Sequence, residues 1–304
     1  MATLQQLRYA ITVAETGSIN RAAEKLLVSQ PSLSKAISEL EKEIGVTIFY
    51  RHNRGVSLAE EGFRFLSYAR QVVEQADLLE QEYRGKKILR KVVAISTQHY
   101  AFAVNAFVDL VKEYEDDDYE FTLRESRTHD IIEDVRTFRS ALGIIYLSKY
   151  NRKILLRIIQ AADLKFEPLF TAKPHVFVGR RNPLAQKSSV TLAELRKFPR
   201  LTYEQGLNNS FYFSEELHST ENSPQSLVVT DRATLFNLLI GLDGYTISSG
   251  ILSSDLNGTD IVSIPLESNE HMEIGYLAPI DRPLGSVAER YLEHLQNYIA
   301  HLEL

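Results

Sequence analysis

Gln30, Ser32, Ser34, Lys35 and Ser38 follow Ser29 and Pro31 in one short segment, and two guanidiniums, Arg51 and Arg54, stand in the polar turn Arg51-His52-Asn53-Arg54-Gly55. Short hydroxyl and amide side chains at the start of a helix can reach base edges and phosphates, and guanidiniums on a neighbouring turn can hold the nucleic-acid backbone. A second group, Ser96-Thr97-Gln98-His99, follows an apolar run at what reads as a helix start. Hydroxyls and free backbone N–H groups there suit a carboxylate, sulfate or phosphate, and an ordinary helix cap explains the same residues equally well. Thr230-Asp231-Arg232 and the hydroxyl-rich YTISSG at 245–250, with Ser248, form a further candidate rim.

The first group needs two helices and a hairpin to position it. Ile19, Ala22, Ala23 and Leu26 recur on one helical face behind a Ser18 cap. Ser29 caps a second helix with Pro31 in its first turn, and Leu33, Ile37, Leu40 and Ile44 make a stripe that ends at Gly45. Leu4, Leu7, Ile11 and Ala14 supply an upstream helix, and residues 48–50 and 56–58 read as two short strands around the basic turn. Packed helices with a merely solvated polar face are the plainer alternative. The conjunction of cap, stripe, turn, polar helix start and basic hairpin within residues 18–58 favours a winged helix-turn-helix that enters a DNA groove.

Residues 59–90 read as one long helix. Phe65, Val72 and Leu79 repeat at sevens beside Leu66, Ala69, Val73 and Ala76, an apolar face wide enough for a partner helix, with intramolecular packing as the alternative. Gly85-Lys86-Lys87 breaks the pattern. Beyond it, VVAIS, a helix over 107–114, YEFTLRES, a helix near 131–138 and LGIIYL spell βαβαβ, the grammar of a mostly parallel sheet, which resumes at FEPLFTAKPHVFVGRRNPLA. Two α/β lobes are expected, 91–164 with 264–304 and 165–263, and ligands of such sheets lie outside the strand C-termini.

The segment AETGSINRAAEKLLVSQPSLSKAISELEKEIGVTIFYRHNRGVSLAEEG closely resembles the DNA-binding domain of LysR-type transcriptional regulators. The resemblance implies an α/β protein: a winged helix-turn-helix at 1–58, a dimerising linker helix and hinge at 59–90, and a two-lobe, periplasmic-binding-protein-like effector domain at 91–304. It places Gln30, Pro31, Ser32, Ser34 and Lys35 in the major groove, Ser18 and Arg21 beside them, and Arg51 and Arg54 on the backbone or in the minor groove. Lys35 stands where the family often has Arg, which favours a phosphate contact over bidentate reading of guanine. In the effector domain it matches Ser96, Gln98 and His99 to first-lobe contacts and Thr202 and Tyr203 to second-lobe ones, with Thr97 a candidate from its place beside them. Tyr146 follows the third strand, where a further contact is usual. STQHYAFAVNAFV, FRSALGIIYLSKYNR, NNSFYFSEE and DRATLFNLLIGLDGYTISSGIL resemble the streptococcal CpsY/MtaR-like subgroup, which implies control of sulfur amino-acid uptake or synthesis, or of cell-surface genes. The implied partners are double-stranded DNA with an interrupted palindrome, a second copy or a dimer of dimers, RNA polymerase, and a small anionic or amino-acid-like effector. No cofactor or metal is expected.

Composition agrees. The 304 residues are 44% hydrophobic, enough for two or three ordinary cores. The net charge of -6 argues against nucleic acid until the chain is divided: residues 1–58 carry seven Lys/Arg and five Glu, so the positive charge is local and modest. Without Cys there is no disulfide framework or thiolate chemistry. The absence of a signal-peptide core or a ~20-residue apolar span predicts a cytoplasmic protein with no membrane partner. An enzyme is not expected: no Walker loop, HExxH or GxSxG elbow occurs, and Ser96 with His99 lacks a placed acid. His294 and His301, a heptad apart, lack a third metal ligand, and the acidic run 113–118 lacks the glycine of a calcium loop. A small-molecule-binding protein whose helix-turn-helix serves architecture or protein contact is the competing reading.

Overall fold

The computed structural model describes residues 2–52, 55–83, 90–208, 210–252 and 258–300. The chain divides into two compact units, Met1–Leu89 and Arg90–Leu304.

The first unit begins with α1 (Leu4–Thr16), where the Thr3 hydroxyl accepts from the Gln6 N–H and the Gln6 side chain accepts from the Thr3 N–H, satisfying two free helix-start donors. Then come α2 (Ile19–Leu26), capped by Ser18, and α3 (Gln30–Ile44), capped by Ser29 with Pro31 in its first turn and closed by Gly45 at φ 71°. The α2–α3 turn is made at Leu27, a leucine at φ 53° in the left-handed region that usually favours Gly or Asn. Ala10, Val13, Ala22, Leu33, Ile37, Leu40, Ile48 and Leu66 form the buried core of this unit. The hairpin of β1 (Phe49–His52) and β2 (Gly55–Leu58) is tied to α3 because one Glu41 oxygen accepts from the N–H groups of Ile48 and Phe49 at 2.8 and 3.0 Å. Val56 N–H donates to Gly17 O at 3.0 Å, and a Cβ on Gly55 would lie 2.3 Å from that oxygen, so only glycine lets the wing approach. The first wing strand runs on through His52 instead of ending at Tyr50, so Arg51 lies in a strand and not on the tip; Arg54 lies outside the described residues.

The long helix is α4 (Glu60–Tyr83). Its apolar surface is divided. Leu66 and Ala69 are buried, and Arg8 of α1 pairs with Asp77, whereas Tyr68, Val72 and Leu79 remain exposed. The expected hinge glycine and lysines at 85–87 lie outside the described residues.

In the second unit the first sheet has the order β4-β3-β5-β12-β6, from β3 (Lys91–Thr97), β4 (Tyr119–Glu125), β5 (Leu142–Leu147), β6 (Leu164–Ala172) and β12 (Met272–Pro279). Strands β4, β3 and β5 are parallel, and β12 runs antiparallel to β5 and β6. The helices α5 (Ala101–Glu113), α6 (Thr128–Arg136) and α7 (Arg152–Ala161) make the connections, so β5, LGIIYL, is buried along its whole length. The second sheet has the order β11-β7-β10-β8-β9, from β7 (His175–Gly179), β8 (Arg200–Tyr203), β9 (Ser226–Val229), β10 (Tyr245–Ser248) and β11 (Ile261–Pro265), with α8 (Leu192–Leu195) and α9 (Arg232–Gly241) beside it. The last helix, α10 (Ser286–Ala300), packs on α5.

Two expected boundaries move: β11 keeps Ile264 and Pro265 in the second sheet, past the expected end at 263. β6 pairs with β12 from Leu164 to Ala172, so the first lobe keeps the chain through Ala172 and the second starts after it, not at 165. Antiparallel pairing across a non-local register is what a one-dimensional pattern cannot display. The helix expected over 107–114 also starts earlier, at Ala101.

Candidate functional site

In the first unit, Ser18, Ile19, Asn20, Gln30, Arg51, His52, Gly55 and Val56 line one concave surface between α2, the start of α3 and the wing. Gln30, Pro31, Ser32 and Lys35 are exposed on α3 and Arg21 on α2. Ser18 spends its hydroxyl on the Arg21 N–H at 3.5 Å, and Ser29 and Ser32 share a 2.7 Å hydroxyl contact. Lys35 stands 3.8 Å from Glu39 one turn on, a solvated pair that leaves the ammonium available. Arg51 behaves differently from a free wing arginine: its guanidinium donates to Ser34 at 2.8 Å and Ser38 at 3.0 Å. It therefore fixes the wing against the recognition face and presents charge beside Gln30. Asn20 and His52 also line the surface, and sequence reading had not nominated them; His52 pairs with Ser57 at 2.6 Å across the hairpin.

In the second unit, the C-terminal ends of parallel strands from both sheets converge. A cavity there is lined by His99 after β3, Tyr203 at the end of β8, Thr246, Ile247 and Ser248 on β10, Arg232 at the start of α9, and the consecutive acids Glu215 and Glu216. Phe177, Leu235, Phe236 and Ile251 make its apolar wall. His99 stacks on Tyr203 with ring centroids 3.9 Å apart, and Glu215 Oε2 lies 2.9 Å from His99 Nδ1 and accepts the His99 N–H at 3.0 Å. Gln205 donates to the other Glu215 oxygen at 3.1 Å. Glu216 accepts the Tyr203 N–H at 2.8 Å through one oxygen, and its other oxygen has no hydrogen-bond partner among the described residues. Arg232 pairs with Glu125, at the end of β4, at 3.1 Å.

Burial and the neighbouring Glu215 charge push the Glu216 carboxyl up to about 8, so it is largely protonated at neutral pH. Burial alone would depress the His99 imidazole, but the charge and hydrogen bond of Glu215 outweigh it and its pKa ends raised. Burial also raises Glu125 despite Arg232.

The acids reach this place on a strap, residues 204–208 and 210–220, that leaves the second sheet and docks on the first lobe. Phe213 is buried among Ile131, Val135, Leu155 and Ile159, and its carbonyl accepts from the Thr128 hydroxyl at 2.7 Å. Tyr146 donates to Ser214 O at 3.1 Å, and Arg200 donates to the carbonyls of Leu217 and His218 at 2.9 and 2.7 Å.

Of the residues expected around a ligand, His99, Tyr203 and Ser248 line the cavity. The structure puts the others elsewhere. Ser96 is fully buried, donates to Asp134 at 2.7 Å and meets Ser140 at 2.8 Å, because its side chain faces α6. The Thr97 hydroxyl donates to Gln98 O at 2.8 Å. Gln98 is a buried crosslink, donating to Thr128 at 2.6 Å and accepting from Tyr100 and the Tyr146 N–H at 3.1 and 3.0 Å. Tyr146 lines a neighbouring hollow with Ser148, His218 and Glu270. Thr202 is half-buried inside β8 and Thr230 is exposed before α9; neither lines the cavity. The acid pair was missed because SEE after FYF carries no sign that a strap will bury it.

Outside these sites, His294 lies 2.5 Å from Glu113, which Arg290 also holds, so an ion-paired helix surface accounts for it; His301 is outside the described residues. Among the described residues, no cluster of three His, Cys, Asp or Glu could hold a metal, and no helix is long and apolar enough to cross a membrane.

A winged helix-turn-helix joined to a two-lobe ligand-binding unit defines a class of one-component regulators, and sequence comparison names the family. Residues 4–63 match the bacterial regulatory helix-turn-helix protein, lysR family, and residues 89–300 match the LysR substrate binding domain. The chain belongs to the LysR family of DNA-binding transcriptional regulators, with an effector-binding domain; the family is one of regulators and not of enzymes. It is 30% identical over 213 residues to the HTH-type transcriptional regulator YnfL of Escherichia coli K12, covering 69% of this chain and 68% of that one. Over 318 residues it is 25% identical to the transcriptional dual regulator GltC of Bacillus subtilis 168, covering 99% and 98%. A Corynebacterium glutamicum OxyR C206 mutant shares the fold at TM-score 0.57 and 21% identity, covering 99% of this chain and 94% of that one.

Proposed function

We propose that this regulator binds an interrupted palindromic operator as a dimer, or a dimer of dimers, and that a small metabolite in the cavity between the two sheets modulates that binding. The observation that carries the reading is the convergence of His99, Tyr203, Glu215, Glu216, Arg232 and Ser248 at the strand ends of both lobes, where a ligand touches both and can bias their relative position. On the DNA side, Gln30, Pro31, Ser32, Ser34 and Lys35 enter the major groove with Ser18 and Arg21 beside them. Arg51, which also ties the wing to α3, and Arg54 contact the phosphate backbone or the minor groove. RNA polymerase is the further partner of such a regulator, and the cytoplasm its place of action.

The chemistry of the cavity favours an amino-acid-like effector over a simple anion, because the acids Glu215, Glu216 and Glu125 stand in or beside it. Control of sulfur amino-acid or cell-surface genes is supported by the likeness of STQHYAFAVNAFV and NNSFYFSEE to the CpsY/MtaR-like regulators. The test is binding to the intergenic DNA upstream of the protein's own gene, with unrelated competitor DNA, across a salt series and with sulfur amino acids added. Specific, steeply salt-dependent binding altered by a metabolite supports the reading; binding no tighter than to competitor DNA rejects it.

A further inference from the structure

Two buried polar atoms in the cavity are unpaired among the described residues: Glu216 Oε2 and Thr246 Oγ1. Their residues are only 2% and 4% exposed, and both line the same space. A buried carboxylate oxygen left without a donor is costly, so natural sites retain one where something else completes it. The basic groups of this cavity are already engaged: Glu215 faces the His99 imidazole and Glu125 faces Arg232. Arg200 acts on Glu216 only at a distance, since its guanidinium is bound to the carbonyls of Leu217 and His218 and does not line the cavity. The uncompensated group is therefore an acid. A carboxylate or phosphate ligand would set another negative charge against Glu215 and bring no donor to the open oxygen of Glu216, whereas an ammonium group has three N–H donors for Glu216, Thr246 and the nearby Ser248 hydroxyl.

We propose that the effector carries a primary ammonium group selected by Glu216 and Thr246, with an apolar remainder packed on Phe177, Leu235, Phe236 and Ile251 once the cavity, about 20 Å³ and room for one water as it stands, widens to admit it. This rests on the reading that the effector occupies this cavity. Binding ionises Glu216, releasing its proton to solvent, and the ligand ammonium supplies the missing counter-charge. Aliphatic amines and α-amino acids share this chemistry.

The test uses the full chain, melting-temperature shifts and calorimetric titration, with three matched probes: L-norleucine, its decarboxylated counterpart n-pentylamine, and its deaminated counterpart hexanoate. Expected is binding of norleucine or pentylamine and none of hexanoate; norleucine alone identifies an amino acid, both an amine. E216Q, which keeps the shape and removes the charge, weakens the nitrogen-bearing probe at least tenfold. T246V weakens it several-fold, and the unliganded melting temperature of each variant checks its fold. Binding of hexanoate as tight as that of the amines, or undiminished amine binding to E216Q, overturns the ammonium assignment. Should hexanoate binding be abolished by S248W, which fills the cavity, the effector-site reading survives that failure. If none of the probes binds the wild-type protein, the ammonium assignment falls, and if operator binding is also indifferent to every metabolite tried, the cavity reading falls with it.

Discussion

Glu215 and Glu216 are neighbours in the chain and both buried, yet of the two only Glu215 is paired with a basic side chain, the His99 imidazole. The consequence is a titration in the wrong range for a glutamate, pushed up to about 8. A raised folded-state pKa means the folded protein holds a proton that the unfolded chain releases near 4.5, so this contribution to stability is present below that pH and is lost as pH rises towards 8. His99 and Glu125, both raised, act in the same direction, and Glu215, Arg200, Tyr203, Tyr146, His218 and Glu270 surround the Glu216 site. Denaturant titrations from pH 5 to 8 should therefore show stability falling with pH, with Glu216 contributing a slope of at most about 1.4 kcal/mol per pH unit. The E216Q variant should be flatter; an unchanged slope would refute the assignment. On the DNA side, Gln30→Ala should relax preference at one base pair by about 1–3 kcal/mol, measured by competition among operator variants, while leaving the salt dependence intact. Gln30 could be nominated from sequence because its exposed place at the start of α3 follows from a local motif. Glu216 could not, since its character comes from groups far away in the chain.

The turn, the wing and the strap each depend on one residue. Leu27 makes the α2–α3 turn at φ 53° while 93% exposed, so it contributes little packing to offset its backbone. Gly55 is constrained by the Gly17 carbonyl, and Gly55→Ala should displace the wing and weaken operator binding at least tenfold. Melting of the effector-binding unit, followed separately by calorimetry, should be unchanged. Phe213 holds the strap in the first lobe's smaller core, and Phe213→Ala should destabilise that unit by about 3–5 kcal/mol and open residues 204–220 to limited proteolysis. Helix caps and stripes were readable because they are local: Ser18, Ser29 and Gly45 cap as their types require. The strap was not, because three-residue turns around aromatic residues have no period and the partner Thr128 lies 85 residues upstream of Phe213.

For the molecule as a whole, α4 leaves Tyr68, Val72 and Leu79 exposed along one side after Leu66 and Ala69 have been buried. An apolar stripe of this kind suits a second copy of the chain. The double variant Val72→Glu, Leu79→Glu should be a monomer by light scattering and lose most operator affinity, because two half-sites can no longer be held together; a variant that stays dimeric would remove α4 as the interface. The sequence by itself determined the winged helix-turn-helix, the long helix, the α/β character of the second unit and the family, because capping, periodicity and turn chemistry act between residues a few positions apart. Only the tertiary structure decided that Ser96 and Gln98 are internal crosslinks, that β6 belongs with the first lobe, and that the Arg51 guanidinium is bound to Ser34 and Ser38 of α3. It alone placed two glutamates, 116 residues and more from His99, in the ligand cavity. Those outcomes follow from strand register and from which charges share a low-dielectric space, and both are set by non-local contacts.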